Sequence, residues 1–219
     1  MRIGILGGCF NPVHNGHLRL AVEVREELGL DRVDLVPAHV PPHKSGQGML
    51  PFALRAELAE VAVAGTPGLA VSRIEAERLG PSYTVDTLVA LRAALPGAEL
   101  WFVLGAGDLF SLPQWFRGTE LPKLANLAVA GRGEDGLDAV SRFISEQWPG
   151  AESQDARCWR LPGAGLLRTV DLERLDISAS DVRARWLTGR SLLGLVPETV
   201  ELALAQRADA VRQAWAVSA

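Results

Sequence analysis

Two histidines three residues apart, His14 and His17, are the side chains of this chain best suited to chemistry on an anion. They follow a short apolar run at residues 3–6, which predicts a buried strand, and precede an amphipathic run that predicts a helix beginning near Asn15. A helix N-terminus offers free N–H groups and a partial positive charge to a phosphate. Because side chains at i and i+3 project from one side of the first turn, both imidazoles can reach one anion. The spacing therefore predicts a phosphate site whose side chains donate hydrogen bonds to a charged transition state.

Glycines surround the two histidines. Gly7 and Gly8 allow the backbone to pass close to a ligand because no Cβ stands in the way, and Gly16 joins the histidines. A tight turn followed by a histidine cap would explain a glycine pair or one histidine alone, but the combination favours a ligand site. The turn is not a Walker P-loop, since no Gly-Lys-Ser/Thr sequence follows, and it lacks the G-x-G-x-x-G spacing of a dinucleotide site.

A second pattern, I-S-A-S-D-V-R at residues 177–183, predicts another helix start. Ser178 followed by Asp181 approximates a capping box, and a simple cap is the better interpretation of Ser178 taken alone. Ser180 and Arg183, however, place a hydroxyl and a guanidinium on one face near the helix N-terminus. An arginine there can bind a phosphate through two parallel hydrogen bonds.

Composition limits the class of partner. The chain has 219 residues, 48% of them hydrophobic and 22% charged, as in ordinary globular proteins. A formal charge of −4 argues against general nucleic-acid binding, which leaves a basic footprint. Two cysteines in unrelated contexts suggest a reducing cytoplasm and neither a disulfide framework nor a metal site. No apolar run approaches the length of a membrane span, so we expect small-molecule partners, with no nucleic acid and no membrane.

Alternating strands and helices predict an α/β fold with a doubly wound parallel sheet, helices on both faces and a small C-terminal helical part. We expect one domain over residues 1–219, with a connecting excursion at about 131–165 and C-terminal helices at about 177–219. In such sheets ligands bind beyond the carboxyl ends of the strands. The predicted strands are residues 3–6, 33–37, 69–74, 100–104, 127–130 and 167–172. After the first helix, the predicted helices are residues 53–64, 85–95, 137–147, 177–187, 198–208 and 210–219.

Together the two patterns resemble the hallmark motifs of the nucleotidyltransferase superfamily that includes class I aminoacyl-tRNA synthetases. The resemblance implies a Rossmann-like fold, which is the fold of this superfamily. Within it, the chain is most similar to bacterial nicotinate-nucleotide adenylyltransferases. This narrower resemblance covers nearly the whole chain. Four further stretches support it: V-P-P-H-K at 40–44, P-S-Y-T at 81–84, G-A-G-D at 105–108 and L-P-Q-W at 112–115.

Two positions depart from the usual pattern of the family. The family commonly has Thr or Ser where this chain has Cys9, and Asp where this chain has Asn11.

The resemblance implies a reaction. The 5′-phosphate of nicotinate mononucleotide attacks the α-phosphorus of ATP, pyrophosphate leaves, and deamido-NAD forms. The nucleophile is already an anion, so catalysis would consist of positioning and charge neutralisation, with Mg²⁺ bound through the ATP phosphates and ATP as co-substrate. The implied catalytic residues are His14, His17 and Arg183. The implied ATP-binding residues are Gly7, Gly8, Cys9, Phe10, Gly105, Asp108, Ile177, Ser178 and Ser180. The implied substrate-binding residues are Lys44, Ser82, Tyr83, Thr84 and Trp115.

Several of these roles have ordinary alternatives. Lys44 would hold the mononucleotide phosphate, or it is a solvated loop lysine. Asp108 would accept from a ribose hydroxyl, or it caps a helix. Trp115 would stack on the nicotinate ring, although a tryptophan is by default a core residue. Tyr83 and Thr84 begin a helix whose amides would receive the nicotinate carboxylate, and this feature favours the acid over the amide.

Other functions remain as alternatives. The first is a dual-specificity adenylyltransferase that accepts nicotinamide mononucleotide as well. Phosphopantetheine adenylyltransferases share the two hallmark motifs but lack the stretches at 81–84 and 112–115. A non-catalytic nucleotide sensor belongs to a different class and would be favoured by loss of His14, His17 or Arg183, all of which are present. The sequence leaves the oligomeric state, including a homodimer, open.

Overall fold

The computed structural model describes residues 1–42, 48–131, 133–172 and 175–216. Its centre is a sheet of eight strands in the order β3-β2-β1-β4-β5-β8-β7-β6. Six strands run parallel, whereas β6 and β7 join the far edge in antiparallel pairing. The strands are β1 Arg2–Gly8, β2 Arg32–Pro37, β3 Leu69–Val71, β4 Glu99–Gly105, β5 Asn126–Gly131, β6 Glu152–Asp155, β7 Cys158–Arg160 and β8 Leu166–Asp171.

Helices connect the parallel strands and cover both faces of the sheet, which confirms the predicted doubly wound fold. None of the described helices has the length and apolar character needed to cross a membrane. The helices are α1 Asn15–Leu28, α2 Phe52–Val63, α3 Thr84–Ala94, α4 Ala106–Ser111, α5 Gly133–Gln147, α6 Ala179–Leu187, α7 Glu198–Gln206 and α8 Ala208–Trp215. Short 3₁₀ turns lie at Ile74–Glu77, Leu112–Gln114 and Gly118–Lys123.

The core consists of two apolar layers, one on each face of the sheet, because successive strand residues point to opposite sides. Along β1, Ile3 and Ile5 belong to the layer beneath α3, α4 and α5, and Leu6 to the layer beneath α1, α2 and the C-terminal helices. The parallel strands are apolar on both faces, as a sheet covered on both sides requires. This rigid slab holds the loops at its carboxyl edge.

Several predicted boundaries were wrong. The strand expected at 69–74 ends at Val71, because the chain then turns into a 3₁₀ segment. The excursion at 131–165 contains not only a helix, which begins at Gly133, but also β6 and β7. The helix expected from residue 177 begins at Ala179, after its cap. The helix expected at 198–208 ends at Gln206, and the next one begins at Ala208.

Candidate active site

The topology of the sheet brings two glycine-containing turns together. β1 pairs with β2 on one side and with β4 on the other, so the winding direction reverses between β1 and β4. A crevice forms outside the carboxyl ends of the strands at such a switch point. β1 ends in Gly7 and Gly8, β4 ends in Gly105, and the chain turns directly after each strand. The two predicted turns therefore lie at one place in the fold.

His14 and His17 stack on each other at the start of α1. His14 is the N-cap residue, with the extended backbone that this position requires, and its N–H donates to His17 Nδ1 over 3.2 Å. The two ring centroids are 3.6 Å apart with an interplanar angle of 26°. The ring of Phe10, which is fully buried, packs edge-on against His17 with the centroids 4.9 Å apart. Phe10 thus supports His17 from behind through packing.

Both imidazoles are neutral at pH 7. Burial lowers the pKa of His14 to about 4. Burial, together with the neighbouring His14, lowers the pKa of His17 to about 3. Because His17 Nδ1 accepts a hydrogen bond, the neutral ring carries its proton on Nε2. His14 Nδ1 is buried and has no hydrogen-bond partner among the described residues, so one polar atom of this ring is left unpaired there.

A cavity, called here the imidazole cavity, opens beside these rings, with an empty volume of about 1100 Å³. It lies between α1, the end of β4 and the segment before α6, so the two predicted motifs contribute to one site. Its lining includes His14, Gly16, His17, Gly105, Ala106 and Ile177.

A second opening, called here the aromatic cavity, lies on the other side of the turn after β1, with an empty volume of about 860 Å³. Seven of its wall residues were predicted as site residues from the sequence: Gly7, Gly8 and Cys9 in the turn, then Ser82, Tyr83, Thr84 and Trp115. Ala38, Pro41, Pro42, Glu75, Phe102 and Phe116 complete its wall. Gly7, Gly8 and Cys9 were expected to bind ATP, but they line the same cavity as the residues that were expected to bind the mononucleotide.

The start of α3 forms one wall of the aromatic cavity. Tyr83 is the N-cap residue, and its N–H already donates to the carbonyl of Pro81 over 3.0 Å. Thr84 is the first helical residue, and N–H groups at such positions find no acceptor within their own helix. Ser82 Oγ accepts from the N–H of Val40 over 2.9 Å, and the Ser82 N–H donates to the Val40 carbonyl. Of the predicted trio, Ser82 therefore fixes the neighbouring loop, whereas the Thr84 N–H has no acceptor within its own helix.

Aromatic side chains form the rest of this wall. Trp115 Nε1 donates to Ser111 Oγ over 3.0 Å, and its ring meets Phe102 edge-on at 6.4 Å between centroids. Tyr83 and Phe116 have ring centroids 4.4 Å apart. Trp115 is half-buried, so a flat ligand can reach its ring.

Arg183 contacts the turn after β1 directly. Its Nη1 donates to the carbonyl of Asn11 over 2.9 Å and its Nη2 to Ser180 Oγ over 3.1 Å. Burial lowers its pKa, although an arginine remains charged under all ordinary conditions. Ser178 caps α6, because its Oγ accepts from the Asp181 N–H over 3.0 Å.

Two predicted residues are less defined by their surroundings. Asp108 lies in the first turn of α4 with an exposed side chain, near the imidazole cavity but outside the residues that line it. Lys44 lies outside the described residues, so its predicted contact with the mononucleotide stays a prediction.

Sequence reasoning missed two buried charged residues, Arg55 and Glu75. Arg55 lies on α2 and, in the described part of the chain, donates only to backbone carbonyls, among them that of Cys9 over 2.7 Å. Glu75 is 7% exposed and lines the aromatic cavity. The sequence around Arg55 carries no signal of this role, since the same helix also holds the charged residues Glu57 and Glu60.

Asn11 links the turn after β1 to two distant segments. Its Nδ2 donates to the Gly48 carbonyl over 2.7 Å, and its Oδ1 accepts from the Leu50 N–H over 3.0 Å and from Trp215 Nε1 over 3.2 Å. An aspartate there could not donate to Gly48. The amide thus matches its surroundings at the position where this chain departs from the usual pattern.

This fold and site define a class of protein. Residues 5–185 match the cytidylyltransferase-like family, and the chain belongs to this family. It is 41% identical over 208 residues to a protein of Trichlorobacter lovleyi named probable nicotinate-nucleotide adenylyltransferase, a match that covers 94% of this chain and 98% of the relative. A protein of the same name from Chromohalobacter salexigens is 42% identical over 208 residues, and this match covers 94% of each chain. The resemblance expected from the motifs is thereby confirmed.

A solved structure shares the fold. It is that of Plasmodium falciparum nicotinic acid mononucleotide adenylyltransferase complexed with NaAD, with a TM-score of 0.70 and 16% sequence identity. The match covers 94% of this chain and 95% of the other. At this identity the likeness supports the Rossmann-like architecture.

Proposed function

We propose that this protein is a nicotinate-nucleotide adenylyltransferase, which transfers AMP from ATP to nicotinate mononucleotide and releases pyrophosphate. The observation that carries the proposal is the pair of cavities on either side of the turn after β1. One presents flat aromatic faces and a helix N-terminus, and the other presents two imidazoles at a second helix N-terminus. The names of the relatives, similar over nearly the whole chain, point to the same reaction.

The arrangement suggests where each substrate lies. The pyridine ring of the mononucleotide would occupy the aromatic cavity, on Trp115. ATP would occupy the imidazole cavity, with its adenosine towards Gly105, Asp108 and Ile177. The 5′-phosphate and the α-phosphorus would then meet along residues 7–17, the segment that separates the cavities. Holding two reactants in this way converts a bimolecular encounter into an effectively unimolecular step.

The imidazoles would stabilise charge that grows on the triphosphate. His14 and His17 are neutral before ATP binds, so they would donate N–H groups and not carry a fixed charge. Donors aimed at developing charge in a site that excludes water are an effective form of catalysis. The Arg183 guanidinium donates to the Asn11 carbonyl and has further N–H donors for a phosphate. Ser180, which accepts from Arg183 Nη2, would orient the guanidinium. No general base is required, because the attacking phosphate oxygen is already an anion.

Magnesium would enter with ATP. As a hard cation it prefers oxygen ligands and usually keeps several waters, so triphosphate oxygens suit it well. It would neutralise charge on the leaving pyrophosphate. A homodimer and a cytoplasmic location stay predictions of the sequence.

The start of α3 supports the acid as the preferred substrate. A nicotinate carboxylate carries a negative charge, which the N–H of Thr84 and the helix dipole would stabilise. The neutral amide lacks this charge, and when its carbonyl oxygen accepts from the Thr84 N–H its NH₂ needs an acceptor of its own. A buried unpaired donor costs about 1–3 kcal/mol, so such mismatches give a preference on the order of tenfold to a hundredfold.

A dual-specificity enzyme is the second candidate, and Glu75 favours it. This carboxylate lines the aromatic cavity, and its oxygens already accept from the His39 N–H and the Thr87 hydroxyl. A carboxylate oxygen has further acceptor capacity, so it can accept from the amide NH₂ of nicotinamide mononucleotide and would repel a nicotinate carboxylate.

Pyrophosphate release from ATP and Mg²⁺ tests the proposal, with nicotinate mononucleotide and nicotinamide mononucleotide compared at matched concentrations. We expect turnover with the acid, formation of deamido-NAD, and a kcat/KM at least about tenfold lower with the amide. Equal kcat/KM values would support the dual-specificity candidate. Absence of turnover with both mononucleotides would refute the proposed function.

A further inference from the structure

Arg55 holds together the segments that wall the aromatic cavity. Its side chain is 1% exposed, and within the described residues its hydrogen bonds all go to backbone carbonyls. Nη1 donates to Cys9 over 2.7 Å, Nη2 to Ala38 over 2.7 Å and to His39 over 3.5 Å, and Nε to Leu50 over 2.9 Å. These carbonyls belong to the turn after β1, the end of β2 and the residue that precedes the cap of α2. One planar guanidinium therefore sets the spacing of three separate segments.

Burying the charged guanidinium of Arg55 costs free energy, because the charge loses its hydration. Burial disfavours the charged form of Arg55 and lowers its pKa, against the attraction of Cys9 and Glu75. Within the described part of the chain, the guanidinium forms no ion pair. Buried charges are usually paired, because desolvation is expensive. Here the carbonyl groups replace the ion pair, and only a planar, forked donor can satisfy several of them together.

Glu75 extends the connection to the opposite wall. Its Oε2 accepts from the N–H of His39 over 3.1 Å, so the two polar backbone groups of His39 are held by Arg55 on one side and by Glu75 on the other. Its Oε1 accepts from the hydroxyl of Thr87 over 2.6 Å. Thr87 lies on α3, one turn beyond the cap residue Tyr83, whose carbonyl also accepts from the Thr87 hydroxyl.

We infer that Arg55 is a positioning residue for the mononucleotide. Through His39, Glu75 and Thr87 it fixes the distance between the turn after β1 and the start of α3, which are the two walls of the aromatic cavity. This inference rests on the proposed function, since it assigns the mononucleotide to that cavity. Arg55, His39, Glu75 and Thr87 are all absent from the lining of the imidazole cavity. ATP binding should therefore be insensitive to a change at Arg55.

Arg55→Lys is the test, because it keeps the charge and removes the fork. We expect the KM for nicotinate mononucleotide to rise about tenfold or more, while the KM for ATP changes less than about twofold. Arg207→Lys is the matched control: Arg207 donates to Glu57 of the same helix α2, on the surface. It should leave both KM values unchanged. Thr87→Val breaks the other end of the connection, at Glu75. It should likewise raise the KM for the mononucleotide and not that for ATP, and it replaces Arg55→Lys as the test if that variant does not fold.

Unchanged KM values in folded Arg55→Lys and Thr87→Val proteins, or an equal rise for both substrates, would overturn the inference. Hydrogen exchange of the unliganded proteins gives a readout that needs no activity. Faster exchange in Arg55→Lys should be confined to the turn after β1 and to the amides of residues 38–42 and 48–50. Exchange that is faster throughout the sheet would mean a general loss of stability and would contradict a positioning role. Failure of the proposed function is distinguishable, because the unaltered protein would then show no turnover.

Discussion

The aromatic cavity and the imidazole cavity are lined by different residues and are built differently. The aromatic cavity has rigid flat faces, Trp115 and Tyr83 among them, and its polar groups are mostly engaged with each other. The imidazole cavity has two stacked rings, His14 and His17, and among the described residues His14 Nδ1 has no hydrogen-bond partner. Preformed shape suits recognition of a flat ring, whereas unpaired donors suit charge that appears during a reaction. The difference suggests that one cavity selects the substrate and the other performs the chemistry.

His17→Ala should have the largest effect and tests the chemical role of the imidazole cavity. We expect kcat to fall on the order of 10²–10³-fold, as when one donor to a developing charge is removed. The KM for the mononucleotide should change little, because His17 lies outside the aromatic cavity. Steady-state kinetics with both substrates, with circular dichroism to check folding, measure this. A near-normal kcat in the folded variant would remove His17 from the mechanism.

Acid should destabilise the protein through the same two rings. The folded pKa values of about 4 and about 3 lie below the usual value of 6.5, so the unfolded chain binds protons first as the pH falls. The stability they contribute is complete above pH 6.5 and is lost progressively below it. At pH 5.5 the loss should be roughly 1 kcal/mol for each ring.

Thermal unfolding at pH 7.5 and at pH 5.5 measures this loss, and His14→Gln provides the comparison. The variant lacks one titrating ring, so its melting temperature should fall less between the two pH values than that of the unaltered protein. The same fall in both proteins would show that His14 is not buried in its neutral form.

Trp115→Ala tests the recognition role of the aromatic cavity. Loss of the stacking face should raise the KM for nicotinate mononucleotide about tenfold, since aromatic pairs contribute about 0.5–1.5 kcal/mol beyond the area they bury. The ratio of kcat/KM between acid and amide should stay the same, because the ring stacks on both. A changed ratio would move part of the selectivity from the start of α3 to Trp115.

Cys9→Thr should have the smallest effect. Cys9 is half-buried in the wall of the aromatic cavity, and its carbonyl, which any residue provides, accepts from Arg55. Activity should therefore stay within about twofold of the unaltered protein, as expected of a substitution that keeps the side-chain volume. Initial rates measure this. An inactive but folded variant would assign the thiol a role of its own.

The sequence predicted best what is local. The glycine turn, the histidine pair and the starts of α1 and α3 depend on residues a few positions apart, so their types and spacing were enough. The parallel sheet followed from the alternation of apolar strands with helices. The prediction of Ser178 as a cap was also local and is confirmed.

What the sequence did not predict depends on distant contacts. β6 is exposed and polar throughout, so it carries no apolar alternation and is a strand only because β7 pairs with it. Arg55 resembles a surface arginine until the carbonyls of three segments are seen to surround it. The bond from Arg183 to the Asn11 carbonyl joins residues 172 positions apart. Spacing along a sequence carries no information about such pairs.

The division of work between the cavities is tested most directly by a double-mutant cycle. Single-turnover rates at subsaturating nicotinate mononucleotide are measured for the unaltered protein, for Trp115→Ala, for His17→Ala and for the protein with both substitutions. If one cavity recognises the ring and the other stabilises charge, the two free-energy effects should add to within about 0.5 kcal/mol. A coupling energy well above about 1 kcal/mol would mean that the two side chains act on the same step, and would contradict the account.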